Sequence, residues 1–302
     1  MFLKGRFVPE TNPYLTLEVT NNCNSKCVFC ANQFMTRRKT SMDWNLFQKA
    51  VDEYLTMGGK HLSLGTTVGD PLLDKRLTDR IRFVRGHPDF QILGIITTLQ
   101  WLHLFDLDDI FECGLTWVSV STTLTGPETY KNFFGVDLYE RMLQNLKNLL
   151  TENRRRGHPL NVIISLKPTQ ERPEEIRNHP DYQAIKILYN QDLDIQSEQS
   201  MVVDDWSGSV TLPAYLVKRP LIPRMFRPCL TLYKTMIVFS NGNVGACACR
   251  DYNADSELIL GNLHQDKLVD LWNSKKLSDL RRNWRLRNKI PDICKLCRHY
   301  MY

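Results

Sequence analysis

Cysteine is the residue type that groups most tightly along this chain. Cys23-Asn-Ser-Lys-Cys27-Val-Phe-Cys30 is a Cys-x3-Cys-x2-Cys triplet; Cys229, Cys247 and Cys249 form a second group, Cys294 and Cys297 a pair, and Cys113 stands alone. Three thiolates so close together can each reach a different iron of one inorganic cube, because the short loops between them let the sulfurs fan out around it. A [4Fe–4S] cube has four irons, so three ligands leave one iron open to an exogenous donor. A plain electron-transfer cluster is usually fully ligated, so an open iron points to chemistry. A structural zinc asks for four ligands, and the polar neighbours here are Asn21, Asn22, Asn24 and Asn32, with no histidine among them.

The elements that must position these cysteines follow from the apolar pattern. Short apolar runs predict strands at Leu15–Thr20, His61–Leu64, Gln91–Thr97, Thr116–Ser121, Asn161–Leu166 and Leu193–Glu198. Amphipathic stretches between them predict helices at Trp44–Met57, Asp74–Arg85, Asp108–Cys113, Leu138–Arg156 and Arg172–Leu188. Ser41 and Asp43 supply start signals for the first, and Gly58-Gly59 a stop. Strands alternating with helices argue for parallel α/β units with functional groups at the strands' C-terminal ends. Six units are too few for an eight-stranded barrel, so an open partial barrel or a doubly wound sheet is expected. The triplet follows the first strand directly.

Residues 201–228 read as a connector, with Asp204-Asp205-Trp206-Ser207-Gly208 and then Pro213, Pro220, Pro223 and Pro228. Beyond it a cysteine-bearing module holds a hairpin signal over Met236–Val244, turning at Asn241-Gly242, and a helix from Leu268 to about Trp284.

With 302 residues, 42% hydrophobic and 24% charged, the chain has globular composition. No apolar run approaches the roughly 18–20 residues of a membrane span. Met1-Phe2-Leu3-Lys4-Gly5-Arg6 lacks a signal peptide's apolar core, so a cytoplasmic location is expected. In such a reducing compartment grouped cysteines hold metal or do chemistry rather than form a disulfide framework. The net charge of +6 collects at Lys275, Lys276, Arg281, Arg282, Arg285, Arg287 and Lys289, with a smaller knot at Arg154–Arg156. These read either as solvated helix faces or as attraction for an acidic partner, such as a reducing flavoprotein or a phosphorylated substrate. No aromatic-basic interleaving points to nucleic acid.

The triplet after the first strand resembles the hallmark of the radical S-adenosylmethionine (radical SAM) superfamily, whose fold is a partial (β/α)6 barrel. The resemblance implies that SAM's amino and carboxylate groups chelate the open iron. Reductive cleavage then yields a 5′-deoxyadenosyl radical that abstracts a substrate hydrogen. Phe29, just before the third cysteine, matches the family's residue near the adenine. Val68-Gly69-Asp70 stands where the family carries a Gly-Gly-Glu-type segment for SAM's amino group; Val replaces the first Gly and Asp the Glu. This implies contacts from Gly69 and Asp70, while a strand-to-helix turn capped by Asp70 is the plainer reading. Ser119 and Ser121 resemble the fourth-strand segment that touches the ribose. Asn161–Lys167 matches the fifth strand in position but lacks the family's glycines.

The C-terminal set, Cys229-x12-Gly242-x4-Cys247 and then Cys294-x2-Cys297, is similar to the auxiliary-cluster extension called SPASM in its shortened "twitch" form. Gly261-Asn262-Leu263 and Asp270-Leu271-Trp272-Asn273 resemble its connecting segment. This implies one auxiliary [4Fe–4S] cluster on Cys229, Cys247, Cys294 and Cys297; a structural zinc is the alternative. Cys249 is left over, as an inert residue, an alternative cluster ligand, or a hydrogen-atom donor that quenches a carbon radical. The donor role implies epimerisation, as in the aminoglycoside epimerases this chain resembles in size and in its extra cysteine. Without it, an auxiliary cluster accepting an electron implies oxidation of an alcohol, as in aminocyclitol dehydrogenases. Cys113, at a predicted helix end, reads as buried and inert.

The expectation is therefore an α/β radical SAM enzyme with a partial barrel over residues 10–200, a connector, and a twitch-like module over 229–302. Only 22 residues precede Cys23, which leaves no room for a leader-recognition domain and favours a small polar substrate: a sugar, aminocyclitol or glycoside. Glu18, Asp204, Asp205 and Trp206 are expected at the barrel mouth, as ligands for hydroxyls, amines or a ring face or as structural residues. Flavodoxin or ferredoxin is the expected reductant. The alternatives are a peptide maturase and, outside enzymes, a non-catalytic iron–sulfur or zinc protein.

Overall fold

The computed structural model describes residues 9, 13–65, 67–90, 92–167, 169–189, 202–221, 228–247, 250–285 and 290–300. Strand and helix alternate through β1 (Tyr14–Leu17), α1 (Trp44–Thr56), β2 (His61–Ser63), α2 (Leu77–Arg85), β3 (Ile92–Thr97), α3 (Leu107–Glu112) and β4 (Trp117–Thr122). Next come α4 (Pro127–Phe134), α5 (Tyr139–Arg155), β5 (Asn161–Leu166), α6 (Pro173–Asn178) and α7 (Pro180–Tyr189). The short β6 (Val202–Val203) and β7 (Val217–Lys218) pair with each other. The rest is α8 (Thr231–Lys234), β8 (Thr235–Val238), β9 (Asn243–Gly245), β10 (Ile259–Asn262), α9 (Leu268–Trp272), α10 (Lys275–Arg285) and α11 (Asp292–Lys295).

Strands β1 to β5 lie side by side in chain order and pair in parallel, as helical crossovers require. Along β4, Val118 and Val120 are buried while Ser119 and Ser121 are only half-buried. The strand thus turns its valines to the helix-covered core and its serines to the inner face. Gly94 on β3 has no side chain because Trp117 of β4 lies across it; a Cβ there would sit 1.9 Å from the indole. Asp43 caps α1, accepting from the backbone N–H groups of Asn45 and Leu46 at 2.8 and 3.2 Å.

Two expectations change. The predicted helix over Arg172–Leu188 is two, because Pro180 forces His179 into extended backbone (ψ 135°). The predicted helix from Leu268 likewise breaks at Asn273-Ser274. The expected hairpin forms, β8 pairing antiparallel with β9, and it continues the barrel's sheet. Its first strand, β8, pairs in parallel with β1 from Tyr14↔Thr235 to Leu17↔Val238, giving one eight-stranded sheet ordered β10-β9-β8-β1-β2-β3-β4-β5. Helix α4 falls in a stretch for which no element was expected. The predicted sixth strand, Leu193–Glu198, lies outside the described residues.

Candidate active site

The triplet sits in the loop after β1, and the barrel pins that loop on several sides. Lys26 and Val28 donate their backbone N–H groups to the carbonyls of Phe134 and Phe133 at the end of α4, at 2.8 and 3.0 Å. Gly135 ends that helix with φ +68°, and a Cβ there would meet the Lys26 carbonyl oxygen at 2.8 Å. From the β3 end, Gln100 Nε2 donates to Ser25 Oγ (3.1 Å) and to Tyr130 OH (2.7 Å), and Gln100 Oε1 accepts from Asn24 (2.8 Å). Trp101 Nε1 donates to Asn24 Oδ1 at 2.8 Å. From the β2 end, the Asp70 N–H donates to the Asn22 carbonyl at 2.8 Å.

Within this frame Cys27 is buried and Cys23 and Cys30 are half-buried. Burial, and then the Asp70 carboxylate, push the Cys23 thiol up to about 12. Burial, Cys30 and Cys23 hold Cys27 well above its ordinary value. Cys30 is also raised by burial, with the Asn32 N–H and the Arg250 charge acting the other way. The three thiols therefore lie within each other's field, and a cationic group bound among them would displace their protons.

Asp70 is 1% exposed, and its carboxylate accepts from Leu72 N (3.1 Å), Thr97 Oγ1 (2.7 Å), Thr98 N (2.9 Å) and Thr98 Oγ1 (2.6 Å). Four donors match the capacity of a carboxylate, so Asp70 laces the ends of β2 and β3 together. Gly69 precedes it with φ +155°. The Phe29 ring lies 5.2 Å from Phe133. Ser119 and Ser121 stand on the inner face of β4.

The residues expected at the barrel mouth, as ligands or as structural residues, form a clasp. Glu18 is wholly buried, paired with both Arg37 terminal nitrogens at 2.5 and 2.6 Å and accepting from Ser240 Oγ at 2.9 Å. Arg37 also donates to the Tyr252 carbonyl at 2.7 Å, which ties the barrel to the C-terminal residues. Asp204 pairs with Arg250 at 2.5 Å and Asp205 with Arg298 at 3.1 Å. Trp206 Nε1 donates to the Phe29 carbonyl at 2.8 Å, and the Arg250 guanidinium lies over its ring at 4.9 Å. The Glu18 carboxylate, with both oxygens on Arg37, is not available to a hydroxyl or an amine, whereas Asp204 Oδ2 is buried without a hydrogen-bond partner. These side chains hold the connector across the triplet loop.

The second set of cysteines does converge. Cys229, Cys247, Cys294 and Cys297 line one cavity, together with Thr231, Trp284 and His299. About 360 Å3 of space lies between the lining atoms, part of it open to solvent. Thr231 Oγ1 donates to Cys229 Sγ at 3.1 Å. Burial, with the nearby Cys247 and Cys229, raises the Cys297 thiol. Burial and the charges of Arg250 and Arg219 depress His299 to about 4, so its imidazole is neutral near pH 7. Among the described residues no three His, Cys, Asp or Glu side chains close on a single metal ion. A zinc would need its thiolates drawn in to about 2.3 Å, whereas four thiols spread around a cavity fit a bulky cluster. Cys113 is 1% exposed, its Sγ donating to the Ile110 carbonyl at 3.3 Å. Cys249 lies outside the described residues.

Spacing did not single out every residue that stands at the strands' C-terminal ends. Gln100 and Trp101 hold the triplet loop. At the ends of β4 and β5, Thr123 Oγ1, Thr125 Oγ1, Thr169 Oγ1 and Glu171 Oε2 are buried atoms with no hydrogen-bond partner. The other Glu171 oxygen accepts from Thr129 of α4. A run of threonines in a loop carries no signal in sequence; only burial distinguishes it.

Parallel strands whose first loop presents three cysteines, with a four-cysteine cavity in the segment that extends the sheet, define an iron–sulfur protein of the barrel class. The family profile described as the radical SAM superfamily matches residues 17–179, and an iron-sulfur cluster-binding (SPASM) domain profile matches residues 229–298. The chain belongs to the radical SAM superfamily. Its cofactors are accordingly SAM and a [4Fe–4S] cluster, with auxiliary iron–sulfur binding in the C-terminal domain.

Among solved structures, BtrN in complex with AdoMet and 2-DOIA superposes with a TM-score of 0.63, at 18% identity over 96% of this chain and 94% of that one. Streptococcus suis SuiB bound to precursor peptide SuiA gives a TM-score of 0.65, at 13% identity over 99% of this chain and 74% of that one. Both likenesses concern the fold. The GTP 3′,8-cyclase of Yersinia pestis is 24% identical over 135 residues, 44% of this chain and 40% of the cyclase. The chain thus matches well under half the length of that relative. No helix among the described residues is long and apolar enough to cross a membrane.

Proposed function

We propose that this radical SAM enzyme acts on a small polar substrate, a sugar, aminocyclitol or glycoside, and either inverts or oxidises one of its C–H centres. The observation that carries the reading is the set of unpaired polar atoms at the ends of β4 and β5. Thr123 and Thr169 are only 2% and 3% exposed; with Thr125 Oγ1 and Glu171 Oε2 they leave three hydroxyls and one carboxylate oxygen without partners. A buried polar atom left unpaired costs about 1–3 kcal/mol. A ligand rich in hydroxyls or amines relieves that cost, and an apolar one does not. Burial, with the field of Glu171, raises the phenol of Tyr215 in the connector, so the connector lies near Glu171.

In this reading Cys23, Cys27 and Cys30 hold the SAM-binding cluster, and Cys229, Cys247, Cys294 and Cys297 hold one auxiliary cluster, the twitch arrangement. When bound, the first cluster and SAM supply hydrogen-atom abstraction from a C–H bond. Phe29, Gly69, Ser119 and Ser121 border SAM, and Asp70 keeps Gly69 and the β3 end in register beside it. Cys249 returns a hydrogen atom if the outcome is epimerisation, and a small acidic flavodoxin or ferredoxin supplies the electron.

The test is anaerobic: 5′-deoxyadenosine is quantified with SAM and a strong reductant, without and with panels of amino sugars, aminocyclitols and short peptides. Stimulation by the polyols, weakened in Glu171→Gln, supports the reading. Stimulation by peptides alone overturns it in favour of a peptide maturase. With an active substrate in hand, D2O separates the outcomes, because return from an exchangeable thiol labels an epimerised carbon, whereas a ketone acquires no label by that route.

A further inference from the structure

The four-cysteine cavity has one wall group that the cysteine assignment leaves unexplained. Trp284, on α10, is 1% exposed, and its Nε1 is buried with no hydrogen-bond partner. An indole nitrogen can only donate, and a buried donor left unanswered is destabilising. The ring is stacked on Tyr300, with centroids 5.9 Å apart and planes 5° from parallel, and a phenylalanine would fill the same layer. One turn earlier on the helix, Arg281 is 9% exposed; its Nε donates to the Leu232 carbonyl at 2.8 Å and its guanidinium lies over Trp272 at 4.7 Å, while its Nη2 is buried without a partner. Beside the His299 ring nitrogen and the Thr231 hydroxyl, the cavity that Trp284 lines gathers four sulfurs, those of Cys229, Cys247, Cys294 and Cys297. One of them, Cys229, already takes a hydrogen bond from Thr231 Oγ1 at 3.1 Å.

We propose that Trp284 donates its indole N–H to a sulfur of the cluster held by Cys229, Cys247, Cys294 and Cys297, and with Thr231 sets that cluster's reduction potential. The inference rests on the proposed assignment of those four cysteines as cluster ligands. Hydrogen bonds to cluster or thiolate sulfur stabilise the more negative, reduced form and so raise the potential. In a wall that is otherwise nearly apolar, two such donors make the auxiliary cluster a better electron acceptor than burial alone would. Trp284 is a positioning residue in this sense: it acts through the cluster and not on substrate.

The experiment uses the reconstituted full-length protein with both clusters loaded. Trp284→Phe keeps the stack on Tyr300 and removes the donor. In a potentiometric titration followed by electron paramagnetic resonance, the auxiliary midpoint should move to a more negative potential while the triplet's cluster, as internal reference, stays in place. An unchanged auxiliary midpoint overturns the proposal. A second measurement needs no variant. In wild-type protein carrying 15N-indole tryptophan, the reduced auxiliary cluster should show a nitrogen hyperfine coupling, and its absence overturns the proposal even if Trp284→Phe folds poorly. The iron content of Cys23→Ala/Cys27→Ala/Cys30→Ala tells the two ideas apart. No remaining iron means that the four-cysteine assignment fails, and the Trp284 role with it. Iron without the coupling means that Trp284 alone was misread.

Discussion

The two sets of cysteines are brought together by opposite routes. The first is local: three cysteines within one loop, carried on the end of β1 and held by backbone and side-chain bonds from α4, β3 and β2. The second is assembled: Cys229 precedes α8, Cys247 follows the hairpin, and Cys294 and Cys297 arrive with α11 after a long excursion through α9 and α10. A local site depends on the loop's conformation, so its fingerprint is spacing. An assembled site depends on the whole module being folded, so its fingerprint is a cavity. The structure couples the two through the Glu18–Arg37 pair and the Asp204–Arg250 and Asp205–Arg298 pairs, which makes the connector a clasp and not a passive linker.

The sharpest way to break this comparison is to remove one site and look for the other. Cys27→Ala should abolish 5′-deoxyadenosine formation altogether, the largest effect expected of any single change. The triple variant that replaces Cys23, Cys27 and Cys30 by Ala should retain about four irons, measured by iron and sulfide analysis after reconstitution. Conversely, Cys294→Ala should lose the auxiliary iron and keep reductive SAM cleavage. If either replacement empties both sites, the two are not independent and the distinction between local and assembled collapses.

Next in size is the coupling itself. Glu18 is wholly enclosed, and Arg37 nearly so, with a side chain 8% exposed. Breaking a buried ion pair by removing one partner costs about 3–5 kcal/mol, because the other charge is left uncompensated. Glu18→Gln should therefore lower stability by about that amount in chemical denaturation. It should also raise proteolysis of the segment around Ser240 and Tyr252. A loss below about 1 kcal/mol, the range of exposed pairs, would show that the clasp contributes little.

A smaller and more local effect is expected at Gly135. An alanine there would have to hold φ +68° and crowd the Lys26 carbonyl, at about 1–3 kcal/mol for the strained backbone. Because Lys26 lies inside the triplet, Gly135→Ala should reduce iron loading at the first site more than at the second. Equal loss at both sites would argue against the loop's being held from α4.

How much of this was legible in the sequence follows the same division. The triplet, the five parallel strands and the cap at Asp43 are local patterns, and short-range chemistry dictates them. The pairing of β8 with β1 is not legible, because it joins residues more than two hundred positions apart and Met236-Ile237-Val238 reads the same in a free hairpin as in a central strand. Glu18, which the sequence leaves between a hydroxyl or amine ligand and a structural residue, illustrates the other limit. A carboxylate at the end of a first strand has the address of a substrate ligand, and only the arrival of Arg37 from the following loop changes its role. Asp70 has a family-like position, yet its four donors come from Leu72, Thr97 and Thr98. Thr123, Thr169 and Trp284 carry no pattern at all; what distinguishes them is burial without a partner, a property of the folded chain.

The smallest predicted effect serves as a control that should touch neither site. Asp43 caps α1 through two backbone N–H groups, which together with the Arg80 charge hold its carboxyl below the usual 3.8. Asp43→Ala should cost about 1 kcal/mol, a typical N-cap loss, with both clusters loaded normally. The folded carboxyl binds its proton less tightly than the unfolded one. Its contribution is therefore present above the ordinary carboxylate value and fades as pH falls through and below it. Asp43→Asn keeps an acceptor at the cap and should retain most of the stability while losing this acid dependence, read as a difference in denaturation midpoint between neutral pH and about pH 3. If Asp43→Ala instead emptied one cluster site, stability lost anywhere in the barrel would suffice to release iron. Iron content in the other variants would then report global stability rather than the local or assembled character of each site.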